Sequence, residues 1–216
     1  MNSITVKGTA TASVKPDTAE IGITLSRTSA DYGESARAAA AAAGSLTEAV
    51  KLAGLGAAAV KTSSYGINAV YSAVPDGKGG HMRELSGYEC VQRMTVRFRL
   101  SKDRLERVIN ELSGCEAADF TVRFTAKNAA KARLRALADA VADAETSARA
   151  IASAAGCRLG KTISLEYGAP AVNEYSRTEL LRSAPEAAHV GATFSVQPEY
   201  VENTVNVTAV YELAED

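Results

Sequence analysis

The sequence has little of what several large classes of protein depend on. Its 216 residues include two histidines and three cysteines, and 24 Lys and Arg nearly balance 25 Asp and Glu, for a formal net charge of −1. Without a basic excess, the chain is not built to hold nucleic acid by neutralising phosphates. It has no apolar run of about 18 residues or more, so no membrane span is predicted. With 46% hydrophobic and 23% charged residues, its composition is that of a folded globular protein.

The first residues, MNSITVKGTATASV, pass directly into an alternation of apolar and polar side chains. A secretory signal would need a basic stretch followed by an apolar core of about 7–15 residues, and neither is present. We therefore expect a cytoplasmic protein as given, and a periplasmic or cell-surface protein if a leader was removed. Cys90, Cys115 and Cys157 cannot all pair internally and none has C-x-x-C spacing, which favours a reducing compartment.

Apolar periodicity predicts strands and helices in a mixed order. Helices are expected at 31–53, between Ser101 and Gly114, and at about 127–155. Asp31 and Glu34 have the spacing of a capping box. Alternation predicts strands at 4–14, 19–26, 60–71, 88–100, 120–124, 163–167 and 201–213. The apolar stripe of the last helix is expected to consist of Leu134, Leu137, Val141, Ala144, Ala148, Ile151 and Ala155.

These elements predict an α+β fold. Because Pro16 and Asp17 form a turn, the first two strands are expected to pair as a hairpin. The segments near 73–87 and 170–198 are rich in Gly or Pro and are expected to be mobile loops. We expect one domain over residues 1–216, a two-layer sandwich in which a mostly antiparallel sheet carries three helices on one face.

No pattern typical of a catalytic, metal or cofactor site occurs in the sequence. His81 and His189 lie far apart in predicted loops, and there is no G-x-S-x-G, P-loop or G-x-G-x-x-G motif. No catalytic, cofactor-binding or metal-binding residue is therefore predicted, no cofactor is expected, and the binding residues stay unassigned.

The cysteines offer the nearest alternative to a non-enzymatic protein. Cys90 lies in the apolar row of its strand, which predicts a buried structural thiol. Cys115 and Cys157 each follow a glycine that ends a helix, and a helix C-terminus does not favour a thiolate. Arg158, beside Cys157, is the one argument for reactivity.

Arg93, Arg97 and Arg99 alternate along one strand, and Arg123 lies on a predicted strand that could be its neighbour. Together they could form a basic stripe on the polar face of the sheet, able to meet acidic surfaces or nucleic acid. No aromatic platform accompanies the stripe, and Glu89 lies in the same row. A solvated face, or one covered by another subunit, is the favoured interpretation.

The chain as a whole resembles the SIMPL domain family, also called DUF541. The resemblance is carried by Val6-x-Gly8, Pro16-Asp17-x-Ala19, the stretch 60–65 (VKTSSY), Gly87-Tyr88, Val96-Arg97-Phe98, the stretch 136–165 and the final strand 205–213. The resemblance implies bacterial relatives that are often periplasmic or surface-associated, some of them immunogenic or linked to oxidative-stress defence, and a eukaryotic signalling adaptor that associates with a kinase. Some bacterial members assemble into large hollow rings. The family provides no catalytic residues.

We therefore expect a non-enzymatic assembly or interaction protein, linked to oxidative-stress or envelope protection. Two alternatives stay open: a thiol-dependent redox protein that uses Cys157 or Cys115, and a small-molecule-binding module with its pocket under residues 170–198. A homo-oligomer is expected because the final strand or the first hairpin can end as a sheet edge, and residues 204–210 carry no charge or proline to block it. The protein partner is unknown, and neither nucleic acid nor a membrane span is expected.

Overall fold

The strands form two sheets, where the sequence predicted one. The computed structural model describes residues 2–75, 80–115, 118–168, 174–182 and 196–215. The strands are β1 (Asn2–Val14), β2 (Thr18–Ser29), β3 (Val60–Pro75), β4 (His81–Arg99), β5 (Ala118–Thr125), β6 (Cys157–Tyr167), β7 (Tyr175–Arg182) and β8 (Val201–Glu215). The helices are α1 (Tyr32–Leu52), α2 (Lys102–Ser113) and α3 (Ala129–Ala154), with a short 3-10 helix at Ala57–Ala59. The predicted α+β class is confirmed.

Each sheet belongs to its own compact unit. The small sheet has the order β1-β8-β6, and its unit contains residues 1–17, 125–177 and 198–216. The large sheet has the order β3-β4-β2-β5-β7, and its unit contains residues 18–124 and 178–197. Helix α3 packs on the small sheet, whereas α1 and α2 pack on the large one. The three helices are therefore divided between the two sheets. The single domain over 1–216 stays a prediction.

The prediction that the first two strands pair with each other as a hairpin is wrong. Every residue of β1 pairs with β8, from Asn2 opposite Leu213 to Val14 opposite Val201. Strand β2 pairs with β4, which lies in the other sheet. Alternation identifies a strand and its buried face, but the neighbouring strand is chosen by long-range packing.

The core of the large-sheet unit lies between the sheet and its helices. Leu46 and Val50 of α1 are fully buried against the apolar rows of β2 and β4, which include Ile23 and Val96. The Asp31 carboxylate accepts the amide hydrogen of Glu34 at 2.8 Å, as the capping box predicts. In a capping box the Glu34 side chain would also accept the amide hydrogen of Asp31. Here Ser29 bridges the two: the Asp31 amide donates to the Ser29 hydroxyl (3.2 Å), and that hydroxyl donates to the Glu34 carboxylate (2.8 Å).

The two predicted loops contain more strand than expected. The β3–β4 ladder continues to Pro75 opposite His81, so 73–75 and 81–87 are strand, and 76–79 lie outside the described residues. Within 170–198, residues 175–182 form β7, whereas 169–173 and 183–195 lie outside the described residues. Backbone pairing with a neighbouring strand forms these strands in spite of their turn-forming residues.

In the small-sheet unit, the buried face of α3 matches the predicted stripe only in part: Ala144 and Ala148 are buried as predicted, and Leu137 and Val141 pack against the core. Its buried residues are alanines spaced by four: Ala136, Ala140, Ala144, Ala148 and Ala152. The larger side chains are exposed at Leu134 (65%) and Ile151 (52%), so the predicted stripe was wrong at both. A Cβ on Gly8 would lie 2.6 Å from the Ala144 nitrogen and closer still to the Ala140 oxygen. Because β1 and α3 meet backbone to backbone, only small side chains fit between them.

Of the two candidates for a sheet edge, the final strand lies in the centre of its sheet, whereas the first strand lies at an edge. Strand β8 pairs with β1 on one side and β6 on the other, so β1 and β6 are the edges of the small sheet. Of the helices that the structure describes, none is long and apolar enough to cross a membrane.

Candidate functional site

The three cysteines are all described, and none forms a disulfide. Cys90 is fully buried, which confirms the structural thiol expected there. Cys157 and Cys115 are half-buried, and each thiol points back at a carbonyl oxygen, that of Ala155 at 3.7 Å and that of Glu111 at 3.9 Å. Burial, with a smaller contribution from the Glu111 charge, raises the pKa of the Cys115 thiol above its ordinary value.

We expect Cys115 to react slowly with iodoacetamide at neutral pH. A raised pKa lowers the fraction of the thiol that is ionised, and the thiolate is the reactive form. When the rate of alkylation is plotted against pH, the midpoint for Cys115 should therefore lie at a higher pH than the midpoint for glutathione in the same buffer. The measurement is peptide mass spectrometry on timed samples. A Cys115 midpoint below that of glutathione would contradict the shift and favour thiol chemistry.

One of the two histidines lies within the described residues. His81 opens strand β4 and is exposed, so it lies in a strand and not in the predicted loop. His189 lies outside the described residues. Within the part of the chain that the structure describes, no group of three or more His, Cys, Asp or Glu could hold a metal ion.

The predicted basic stripe lies on the face of the large sheet opposite its core. Arg93, Arg97 and Arg99 alternate with buried residues of β4, as predicted. Arg123 lies on β5, which β2 separates from β4, so it is not on a neighbouring strand. Arg97 forms an ion pair with the largely buried Glu20 of β2, and Arg123 pairs with Glu179 of β7 at 2.7 Å.

A groove of about 510 Å³ crosses this face between the arginines. Its floor includes Gly22 of β2, where an added Cβ would have nothing within 4 Å. Its walls include Arg93 and Thr95 on one side and Thr121 and Arg123 on the other. In sequence, Gly22 shows only as an interruption of an alternating strand, so alternation alone predicts no groove.

A second cavity, of about 710 Å³, lies in the large-sheet unit between α1 and the end of α2. Ala42 and Leu52 of α1 line it, together with Leu25, Glu111 and Cys115. The thiol of Cys115 is thus beside a concave apolar surface, although its raised pKa disfavours the reactive thiolate.

The open edge of the small sheet is the most exposed regular element of its unit. Apart from half-buried Cys157 and Leu159, every residue of β6 is exposed. Leu165 lies opposite Ala209 and Tyr167 opposite Val207, two residues that are buried beneath α3. Leu165 and Tyr167 therefore share the apolar face of the sheet, but they extend beyond the helix that covers it.

Two aromatic contacts in the large-sheet unit were not predicted from the sequence. Tyr32 packs edge-on against Tyr88, with ring centroids 5.6 Å apart. Strands β3 and β4 continue beyond β2 as a two-stranded ribbon, where the Arg83 guanidinium lies 4.9 Å from the ring centre of Tyr71. Tyr32 and Tyr88 are distant in sequence, so the packing of α1 against β4 brings their rings together.

The family model described as "SIMPL: Protein of unknown function (DUF541)" matches residues 4–211, nearly the whole chain. No curated protein matches the chain.

Proposed function

We propose that this chain, which belongs to the SIMPL (DUF541) family, is a non-enzymatic assembly and interaction protein that associates with itself through strand β6. The single observation that carries the proposal is the uncovered apolar row Ile163, Leu165 and Tyr167 on an edge strand. An edge strand has unpaired N–H and C=O groups, and a second strand satisfies them by extending the sheet.

The two edges of the small sheet differ in how they are protected. On β1, the outward amide of Thr9 donates to the Asp143 carboxylate of α3 at 2.9 Å. On β6, register shifts around Thr162 and the nearby charge of Lys161 disturb the first half of the strand. From Ser164 to Tyr167 the ladder to β8 is regular. The second half of β6 is therefore the stretch best suited to receive another strand.

The apolar row is self-complementary for a two-fold arrangement. If two copies of β6 pair antiparallel with Leu165 opposite Leu165, Ile163 of each copy, which lies at the register shift that precedes the regular stretch, is opposite Tyr167 of the other. Directly opposite residues share a face of the sheet, so this register joins the two apolar rows into one. A two-fold axis of this kind is the commonest symmetry of homo-oligomers.

Leu165→Lys is expected to weaken self-association by about a hundredfold or more, because assembly would bury two unpaired charges side by side. Light scattering behind a sizing column should give a multiple of 22.5 kDa for the parent and a lower mass for the variant. Leu52→Lys, at an exposed leucine of α1, is the matched control and should keep the parent mass. A parent mass of 22.5 kDa at micromolar concentration, or an unchanged mass for Leu165→Lys, contradicts the proposal.

The protective role in oxidative stress or at the envelope rests on the family resemblance alone. We propose that it follows from assembly and not from thiol chemistry, because burial holds the Cys115 pKa above its ordinary value. A strain that lacks the gene should be more sensitive to peroxide, and a gene encoding Cys115→Ala and Cys157→Ala should restore resistance. Failure of that double variant to restore resistance would favour the thiol-dependent alternative.

A further inference from the structure

The groove of the large sheet has the size and polarity of a small-molecule site. At about 510 Å³ it falls within the range of small-molecule pockets, roughly 300–1,000 Å³. Strand alternation sends Phe120, Val122 and Phe124 of β5 into the core, which leaves Thr121 and Arg123 on the groove side. On β2, Gly22 provides no side chain, so the middle of the groove is open down to the backbone.

The ionic pairing around the groove leaves one guanidinium available to a ligand. Arg97 is engaged with Glu20, and Arg123 is engaged with Glu179. Among the residues that the structure describes, the Arg93 side chain has no hydrogen-bond or ion-pair partner. Arg93 is thus the arginine of the groove lining whose five N–H donors are not engaged by another described residue.

The surroundings of Arg93 fix its backbone and add neutral donors. The Ser63 hydroxyl, at the register shift of β3, donates to the Arg93 carbonyl at 3.2 Å. In the β2–β4 ladder Thr24 lies opposite Arg93, and Thr95 lies opposite Gly22. Two hydroxyls and a guanidinium therefore border the open backbone at Gly22. Hydroxyls can donate to an oxyanion, and a guanidinium binds one in a bidentate manner.

We propose that this groove is a binding site for a small oxyanion, a carboxylate or a phosphate, held by Arg93 over Gly22. The paired acids Glu20 and Glu179 hold the other two arginines in place, so the ligand meets one uncommitted guanidinium with hydroxyls beside it, on the side of the groove away from the Asp119 carboxylate of β5 that also lines it. This site goes beyond the proposed assembly through β6 and does not depend on it.

Arginine modification tests the site on the unmodified protein. Phenylglyoxal labels accessible guanidinium groups, and peptide mass spectrometry reports each arginine separately. Inorganic phosphate and succinate, added in separate samples at matched ionic strength, are the probes. At least one of them should slow the labelling of Arg93 several-fold and leave Arg37, an exposed arginine of α1, unchanged. Equal labelling of Arg93 with and without both anions overturns the proposal.

Calorimetry of variants measures the same site independently. The anion that protects Arg93 should bind Arg93→Gln about tenfold or more weakly than the parent, because the charged donor is lost. Arg37→Gln should bind it as the parent does. Gly22→Ala, which fills the open space without touching the arginines, should also weaken binding. Parent-like affinity in Arg93→Gln overturns the proposal, and so does Arg93-dependent binding of a short single-stranded DNA without binding of either small anion.

Discussion

Gly8→Val is expected to lower the free energy of unfolding by about 3 kcal/mol or more, because there is no space for a side chain between β1 and α3. The first carbon alone would overlap the Ala140 carbonyl oxygen and lie 2.6 Å from the Ala144 nitrogen. Both are backbone atoms that no rotamer change can move. Urea unfolding followed by far-ultraviolet circular dichroism measures the loss.

Gly66→Val is the matched control for that substitution. Gly66 is also a strand glycine, on β3, but an added Cβ there has nothing within 4 Å. Valine suits an extended strand, so this variant should be as stable as the parent or slightly more so. If Gly8→Val unfolds at the same urea concentration as Gly66→Val, the close approach of β1 and α3 does not exist in solution.

Leu46→Ala is expected to destabilise the large-sheet unit by about 2–5 kcal/mol, because it leaves a cavity beneath α1. Leu46 is 0% exposed and packs in the main core cluster. The measurement is urea or thermal unfolding, with the near-ultraviolet signal of the tyrosines as a second probe of packing.

Leu52→Ala makes the same change six residues along the same helix and isolates the effect of burial. Leu52 is 76% exposed, and alanine is at least as good a helix former as leucine. This variant should lie within about 0.5 kcal/mol of the parent. Equal losses for Leu46→Ala and Leu52→Ala would show that α1 does not present the face described.

The candidate sites were predictable from sequence only in part. Alternation was enough to place Arg93, Arg97 and Arg99 on one polar face and to bury Cys90 on the other. It did not predict which arginines are neutralised, because Glu20 and Glu179 reach them from other strands. The groove over Gly22 likewise depends on the lateral order β4-β2-β5, which no local pattern contains.

The edge of the small sheet was likewise predictable from the sequence only in part. The sequence predicted an unprotected edge at the final strand or the first hairpin, because residues 204–210 of β8 carry no charge or proline. The protein instead places β8 at the centre of the small sheet, where the absence of charge suits burial between two neighbouring strands. The edges are β1 and β6; the sequence predicted β6 as a strand over 163–167 but did not indicate that it lies at an edge.

The sequence by itself determined the α+β class, the positions of the three helices and most strands, and the buried row of β4. Each of these features depends on a periodicity or a cap within one segment, so residues that are close in sequence are enough to predict it. Only the tertiary structure decided that the strands divide into two sheets and that α3 buries alanines while Leu134 is exposed. The physical reason is the contact at Gly8: a helix that touches a strand backbone to backbone selects its smallest face, and a helical pattern cannot show how near its partner will lie.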